Sequence, residues 1–126
     1  MEPTTPDLLR ATAERAIDFL DTLPTRRVHP LATPADMRAA LRDELPDQGE
    51  AALTVVDELA AAAEGGIVAS AGPRYFGFVI GGALPAALAA DWLTSAWDQN
   101  AAFWALGPAA AAAEDIAGEW LLELFD

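Results

Sequence analysis

GPRYFGFVIGGALPAALAADWLTSAWDQNAAFW, from Gly72 to Trp104, is the stretch whose reading decides the fold. It opens on an aromatic and β-branched run, Tyr75 to Ile80, in which only Gly77 interrupts the large apolar side chains. Residues of that kind favour a strand or extended segment. Gly81 and Gly82 break the run and permit close approach of a ligand or a second chain. Pro85 then suits the first turn of a helix reaching about Trp97, with Leu88, Trp92 and Leu93 as its buried side. Asp98, Gln99 and Asn100 follow as a polar patch between Trp97 and Trp104. Such a stretch makes a poor solvent-facing surface. It reads as the wall of a pocket or as a subunit interface.

Before it lie three helix signals. Thr5-Pro6-Asp7 starts the first, because Thr can cap, Pro fits the first turn and Asp favours the positive end of the helix dipole. Leu9, Ala13, Ala16, Ile17, Leu20 and Leu23 recur at helical spacing, and Pro24 ends the run. Thr33-Pro34-Ala35-Asp36 repeats the start signal as a variant capping box, with a short helix expected to reach about Leu45 and end at Pro46. A third helix is expected from about Glu50 to Glu64, with Leu53, Val56, Leu59, Ala60 and Ala63 on one side and Gly65-Gly66 closing it. After the opening stretch, Gly107-Pro108 starts a last helix with Ile116, Trp120, Leu121 and Leu124 as its apolar stripe.

Totals bound the function. The 126 residues make one domain at most. Twenty acids stand against 7 bases, a net charge of −13, and every base is Arg. A chain so acidic repels phosphate backbones, so no nucleic-acid partner is expected. Nor does it have a basic face for an anionic membrane. Without Cys and with His29 alone, thiolate chemistry and Cys- or His-rich zinc sites are excluded, and no metal is expected. A Ser-His-Asp triad would have to use His29, which sits in a loop-like Val28-His29-Pro30-Leu31 far from any nucleophile elbow; a loop His packed on a helix end is the simpler reading. The adjacent Arg26 and Arg27 could clamp a carboxylate or phosphate, although such pairs more often solvate a loop or meet local acids.

The uncharged run Tyr75 to Ala90 contains Gly77-x-x-x-Gly81, a helix-pairing pattern of membrane helices. It is shorter than the roughly 20 residues a span needs, and two adjacent glycines and Pro85 interrupt it. No membrane partner is expected. Met1 to Asp7 lacks a basic stretch followed by an apolar one, so a cytoplasmic location is expected.

The motifs in order carry a family resemblance. Arg27-Val28-His29-Pro30, Leu45-Pro46-Asp47-Gln48-Gly49, Pro73 through Gly82, Pro85 through Leu93, Asp98-Gln99-Asn100, Pro108 through Glu114 and Glu119-Trp120-Leu121 together resemble the amino-terminal portion of the group II pyridoxal-phosphate-dependent amino-acid decarboxylases. That family includes the aromatic-L-amino-acid, glutamate and cysteine-sulfinate decarboxylases. One departure shows: the family usually has His where this chain has Gly72.

The resemblance implies a mainly α chain, amphipathic N-terminal helices plus a short extended segment, forming the N-terminal part of a fold-type I PLP-dependent transferase-like α/β enzyme. Residues 1–66 would be the N-terminal helical dimerisation segment. Residues 67–126 would be the start of the decarboxylase domain, stopping before the Gly-rich phosphate-binding loop, so the chain would be about the first quarter of a member. The first helices would pack against the partner subunit of an intertwined homodimer. Phe78, Ile80, Gly81 and Gly82 would shape the substrate pocket, and Asn100 and Phe103 would approach it from the neighbouring subunit. The reaction implied is decarboxylation of an L-amino acid, a carboxy-lyase activity using pyridoxal 5'-phosphate. Phe78 and Ile80 beside glycines favour an apolar or aromatic substrate, since only Arg74 lies near to pair a second carboxylate.

The cofactor joins a Lys amine as a Schiff base in such enzymes, and this chain has no Lys. No catalytic residue and no cofactor-binding residue is therefore expected on this chain alone, which should be inactive by itself. The alternative is a non-catalytic helical module that dimerises or docks a partner through its apolar stripes. Reading the codons after Asp126 separates the two: a fragment continues into the phosphate loop and the Lys, and a module stops.

Overall fold

The computed structural model describes residues 3–41, 45, 47–100 and 103–125. The chain is mainly α, and among the described residues there is no β-strand. It divides into two compact units, Met1–Gly82 and Ala83–Asp126, each taken by itself below.

The first unit holds α1 (Thr5–Thr22), α2 (Pro34–Ala40) and α3 (Ala52–Ala63), which runs into the 3-10 turn Glu64–Gly66. Both cap signals work as the chemistry requires. Thr4 takes the N-cap of α1, one residue before the Thr5 of the sequence reading, with its hydroxyl 2.5 Å and its backbone N–H 3.3 Å from Asp7 Oδ2. At α2 the Thr33 hydroxyl donates to Asp36 Oδ2 at 2.7 Å and accepts from the Asp36 N–H at 3.2 Å, the reciprocal box expected of Thr-x-x-Asp. α2 ends at Ala40, short of the expected Leu45, where the capping Leu41 leaves the helical conformation and its N–H closes onto the Met37 carbonyl at 2.9 Å. Pro46, the expected stop, lies outside the described residues.

The α1 face turned inward matches the one the apolar spacing picks out only in part, with Leu23 buried and Ala13 and Ala16 half-buried. Arg15 bonds Asp57 on α3, and Phe19 is half-buried with the Arg26 guanidinium 4.8 Å from its ring centre. Leu23, the residue that caps the end of the helix, is buried. Together Ala11, Arg15, Phe19 and Leu23 make an i, i+4 stripe. Leu9 and Ile17 of the expected stripe are 55% and 54% exposed. Hydrophobic periodicity finds an apolar face but not its occupant. Here a charged pair and a cation–π contact hold α1 to the unit while its larger apolar side chains stay open.

Two backbone ties join the connector after α1 to the segment after α3. The Ala69 N–H donates to Val28 O at 3.2 Å, and the Leu31 and Ala32 N–H groups both donate to Gly65 O at 3.0 Å. Ala69 is 1% exposed, the deepest residue of the unit.

The second unit holds α4 (Pro85–Trp97) and α5 (Pro108–Phe125), both starting at the expected Pro. Asp98 ends α4 in the left-handed conformation, φ 47° and ψ 49°, its N–H bonded to Thr94 O at 3.1 Å. Leu88 is half-buried, but the side expected to be buried is otherwise open, with Trp92 and Leu93 exposed, and so is the α5 stripe of Ile116, Trp120, Leu121 and Leu124. Ala111 is buried there.

The apolar side chains thus have little to pack on. The chain exposes 10274 Å². Two separate, compactly folded bodies of these two sizes would together expose about 7,700 Å².

Candidate functional site

Tyr75 to Ile80, expected as a strand or extended piece, is neither a strand nor continuously extended. Phe78 and Val79 both take φ 55°, and the Ile80 N–H closes a turn onto Gly77 O at 3.1 Å. The physical reason is pairing. A strand leaves its N–H and C=O groups unmet unless a neighbour supplies a ladder, and no strand lies among the described residues to do so. The run folds onto its own carbonyl instead. Two adjacent non-glycine residues in the left-handed region are strained, a β-branched one above all.

That turn presents the expected pocket residues outward. The Phe78 side chain is 91% exposed, Val79 fully so, and Ile80 about half. Gly81 has open space around its Cα, so a side chain there would meet nothing. Gly82 differs, because a Cβ on it would stand 3.4 Å from Ala71 O. Behind them, the Tyr75 N–H bonds Gly72 O at 3.2 Å and the Gly72 N–H bonds Ala69 O at 3.1 Å, two successive turns that carry the chain away from buried Ala69. A Cβ at position 72 would lie 3.1 Å from Leu23 O and 3.2 Å from Ala69 O. Glycine at position 72 therefore has a local cause, since a side chain there would press on the backbone at the end of α1.

Asn100 and Phe103 belong to the second unit. The Phe103 carbonyl accepts from the Leu106 and Gly107 N–H groups, both at 3.0 Å, and the Gly107 carbonyl accepts from Ala111 at 2.9 Å. This ladder turns the chain into α5. The Gly107 backbone lies directly against the Asn100 carbonyl. Phe103 and Trp104 are exposed, and the Gln99 amide donates to Trp97 O at 2.8 Å. The residues expected at a pocket thus lie in turns and irregular segments, with Phe78, Ile80 and Phe103 open.

No side-chain amine is present to hold pyridoxal phosphate, so the residues of this chain do not fit that cofactor and no catalytic step follows from them. Among the described residues there is no cluster of three or more His, Cys, Asp or Glu suited to a metal. None of the helices is long and apolar enough to cross a membrane, again among the described residues. His29 is exposed at the mouth of a cavity with Arg26, Arg27 and Glu64 and joins no triad. That cavity is the feature the sequence reading undervalued; the Arg26-Arg27 pair was its signal. Comparison with protein-family models, with curated proteins and with solved structures gives no match to this chain.

Proposed function

We propose that this chain is the amino-terminal portion of a group II PLP-dependent amino-acid decarboxylase and has no catalysis of its own. It would supply helical packing surface to a homodimer and one wall of a substrate pocket, from Phe78, Ile80, Gly81 and Gly82, with Asn100 and Phe103 reaching the pocket of the neighbouring subunit. The substrate class is an L-amino acid with an apolar or aromatic side chain.

The observation that supports this reading best is the open apolar surface. Leu9 and Ile17 on α1, Trp92 on α4 and Trp120 on α5 stand exposed on helices of 13 to 18 residues. Large apolar side chains left open on helices mark faces that another protein body covers. The order of motifs along the chain supplies the family. The same open faces equally favour the non-catalytic dimerisation module, which shares the packing role and differs in owing nothing to a decarboxylase.

Borohydride trapping tests the catalytic half. The chain is incubated with pyridoxal phosphate, reduced, and mapped by mass. No cofactor adduct is expected on any side chain, with labelling confined to the α-amine of Met1. A stable adduct elsewhere, or release of carbon dioxide from an added aromatic amino acid, would overturn the proposal. Joining the chain to the remainder of a family enzyme separates the two readings: recovered decarboxylation supports the fragment, and a soluble complex without activity supports the module.

A further inference from the structure

The acidic chain concentrates its bases at one corner of the first unit. Arg26, Arg27, Arg74 and His29 gather where α1 ends. Arg26 is held rigidly, its side chain only 13% exposed, with Nη2 2.5 Å from Glu64 Oε1 and its guanidinium over Phe19. The Arg74 guanidinium donates to the Arg26 carbonyl. The backbone on both sides is tied by the Val28–Ala69 and Leu31–Gly65 hydrogen bonds. Between these ties lies a cavity of about 190 Å³ whose walls include Arg27, His29, Leu31, Glu64 and Ile67.

Charge decides what the cavity can take. The Glu64 carboxylate is matched by Arg26, so the pair adds little net field. Arg27 and His29 make no side-chain hydrogen bond or ion pair among the described residues. The lining is therefore left with one uncompensated guanidinium and one imidazole N–H, in a chain of net charge −13. A guanidinium fork matches two oxygens of a carboxylate or phosphate, and an imidazole N–H adds a third donor. Apolar Leu31 and Ile67, also in the lining, suit a short carbon stem.

We propose that this cleft binds a small oxyanion, a carboxylate or phosphate group of a small molecule, through Arg27 and His29, with the Arg26–Glu64 pair fixing the wall. The site is separate from the Phe78–Gly82 turn and does not depend on the decarboxylase reading.

Backbone-amide NMR of the full chain tests it, with inorganic phosphate and acetate titrated separately at constant ionic strength against chloride. Saturable shifts confined to residues 26–31 and 64–67 are expected. Arg27→Ala should weaken binding about tenfold or more while leaving the helical spectrum unchanged, and His29→Ala should weaken it less. Phosphate alone saturating identifies a phosphate ester as the ligand class, and acetate saturating equally identifies a carboxylate. Chloride reproducing the shifts, no saturation with either anion, or unchanged affinity in Arg27→Ala would overturn the proposal.

Discussion

The Gly107 backbone lies against the carbonyl of Asn100 so closely that a Cβ on Gly107 would run into that oxygen. Gly107 has no positive φ, so close approach rather than backbone freedom explains the residue. Asn100, expected at a pocket, is thereby fixed from behind by the turn that starts α5.

Gly107→Ala should therefore destabilise the second unit by about 1–3 kcal/mol, because backbone and not a flexible side chain must move. Gly118, inside α5 with nothing within 4 Å, is the contrasting case. Gly118→Ala should stabilise by about 0.5–1 kcal/mol through helix propensity alone. Thermal melts followed by circular dichroism should move in opposite directions for the two variants.

How far the sequence was legible follows from residues like these. The starts of α2, α4 and α5 were readable from Thr33-Pro34, Pro85 and Pro108, because caps and first-turn prolines act within one turn of chain. The Tyr75–Ile80 turn was not, since β-propensity describes fit to a sheet and no sheet neighbour lies among the described residues. The inward face of α1 was read only in part, Leu23 but not Arg15 or Phe19, for a related reason. The Arg15–Asp57 pair joins residues 42 apart in sequence, and helical periodicity carries no information about such a partner. Of the site, the close approach of Gly107 to the Asn100 carbonyl and the Arg26–Glu64 pairing emerged only in three dimensions.

The left-handed Phe78–Val79 pair gives a second prediction. Val79 is fully exposed, so replacing it removes no packing. Asn tolerates the left-handed region where a β-branched side chain does not. Val79→Asn should raise stability by about 0.5–1 kcal/mol in urea titrations. A loss of similar size would mean that the turn is not the conformation this segment keeps in solution.

The two cap carboxylates predict a pH response. Asp7 is held below the ordinary value of 3.8, chiefly by the Thr4 hydroxyl and then by its backbone N–H, and Asp36 likewise by Thr33. A carboxyl whose folded pKa is depressed contributes stability that is fully present above the unfolded value. That contribution fades as pH falls from there through the folded value. Both groups are fully exposed, so the effect is small. Relief of repulsion among the other acids works in the opposite direction. The difference between wild type and the Asp7→Asn/Asp36→Asn double variant isolates the caps. Thermal midpoints from about pH 5 to about pH 2 should converge as the wild type loses its advantage. A constant difference across that range would contradict the assignment.

The central claim is that the open helix faces exist to be covered by another protein body. Sedimentation velocity of the purified chain, run with a hydrophobic-dye titration, tests it most directly. The account predicts concentration-dependent self-association or strong dye binding, weakened by Ile17→Glu on α1 or Trp120→Glu on α5. A sharply melting, dye-silent monomer at every concentration would contradict it.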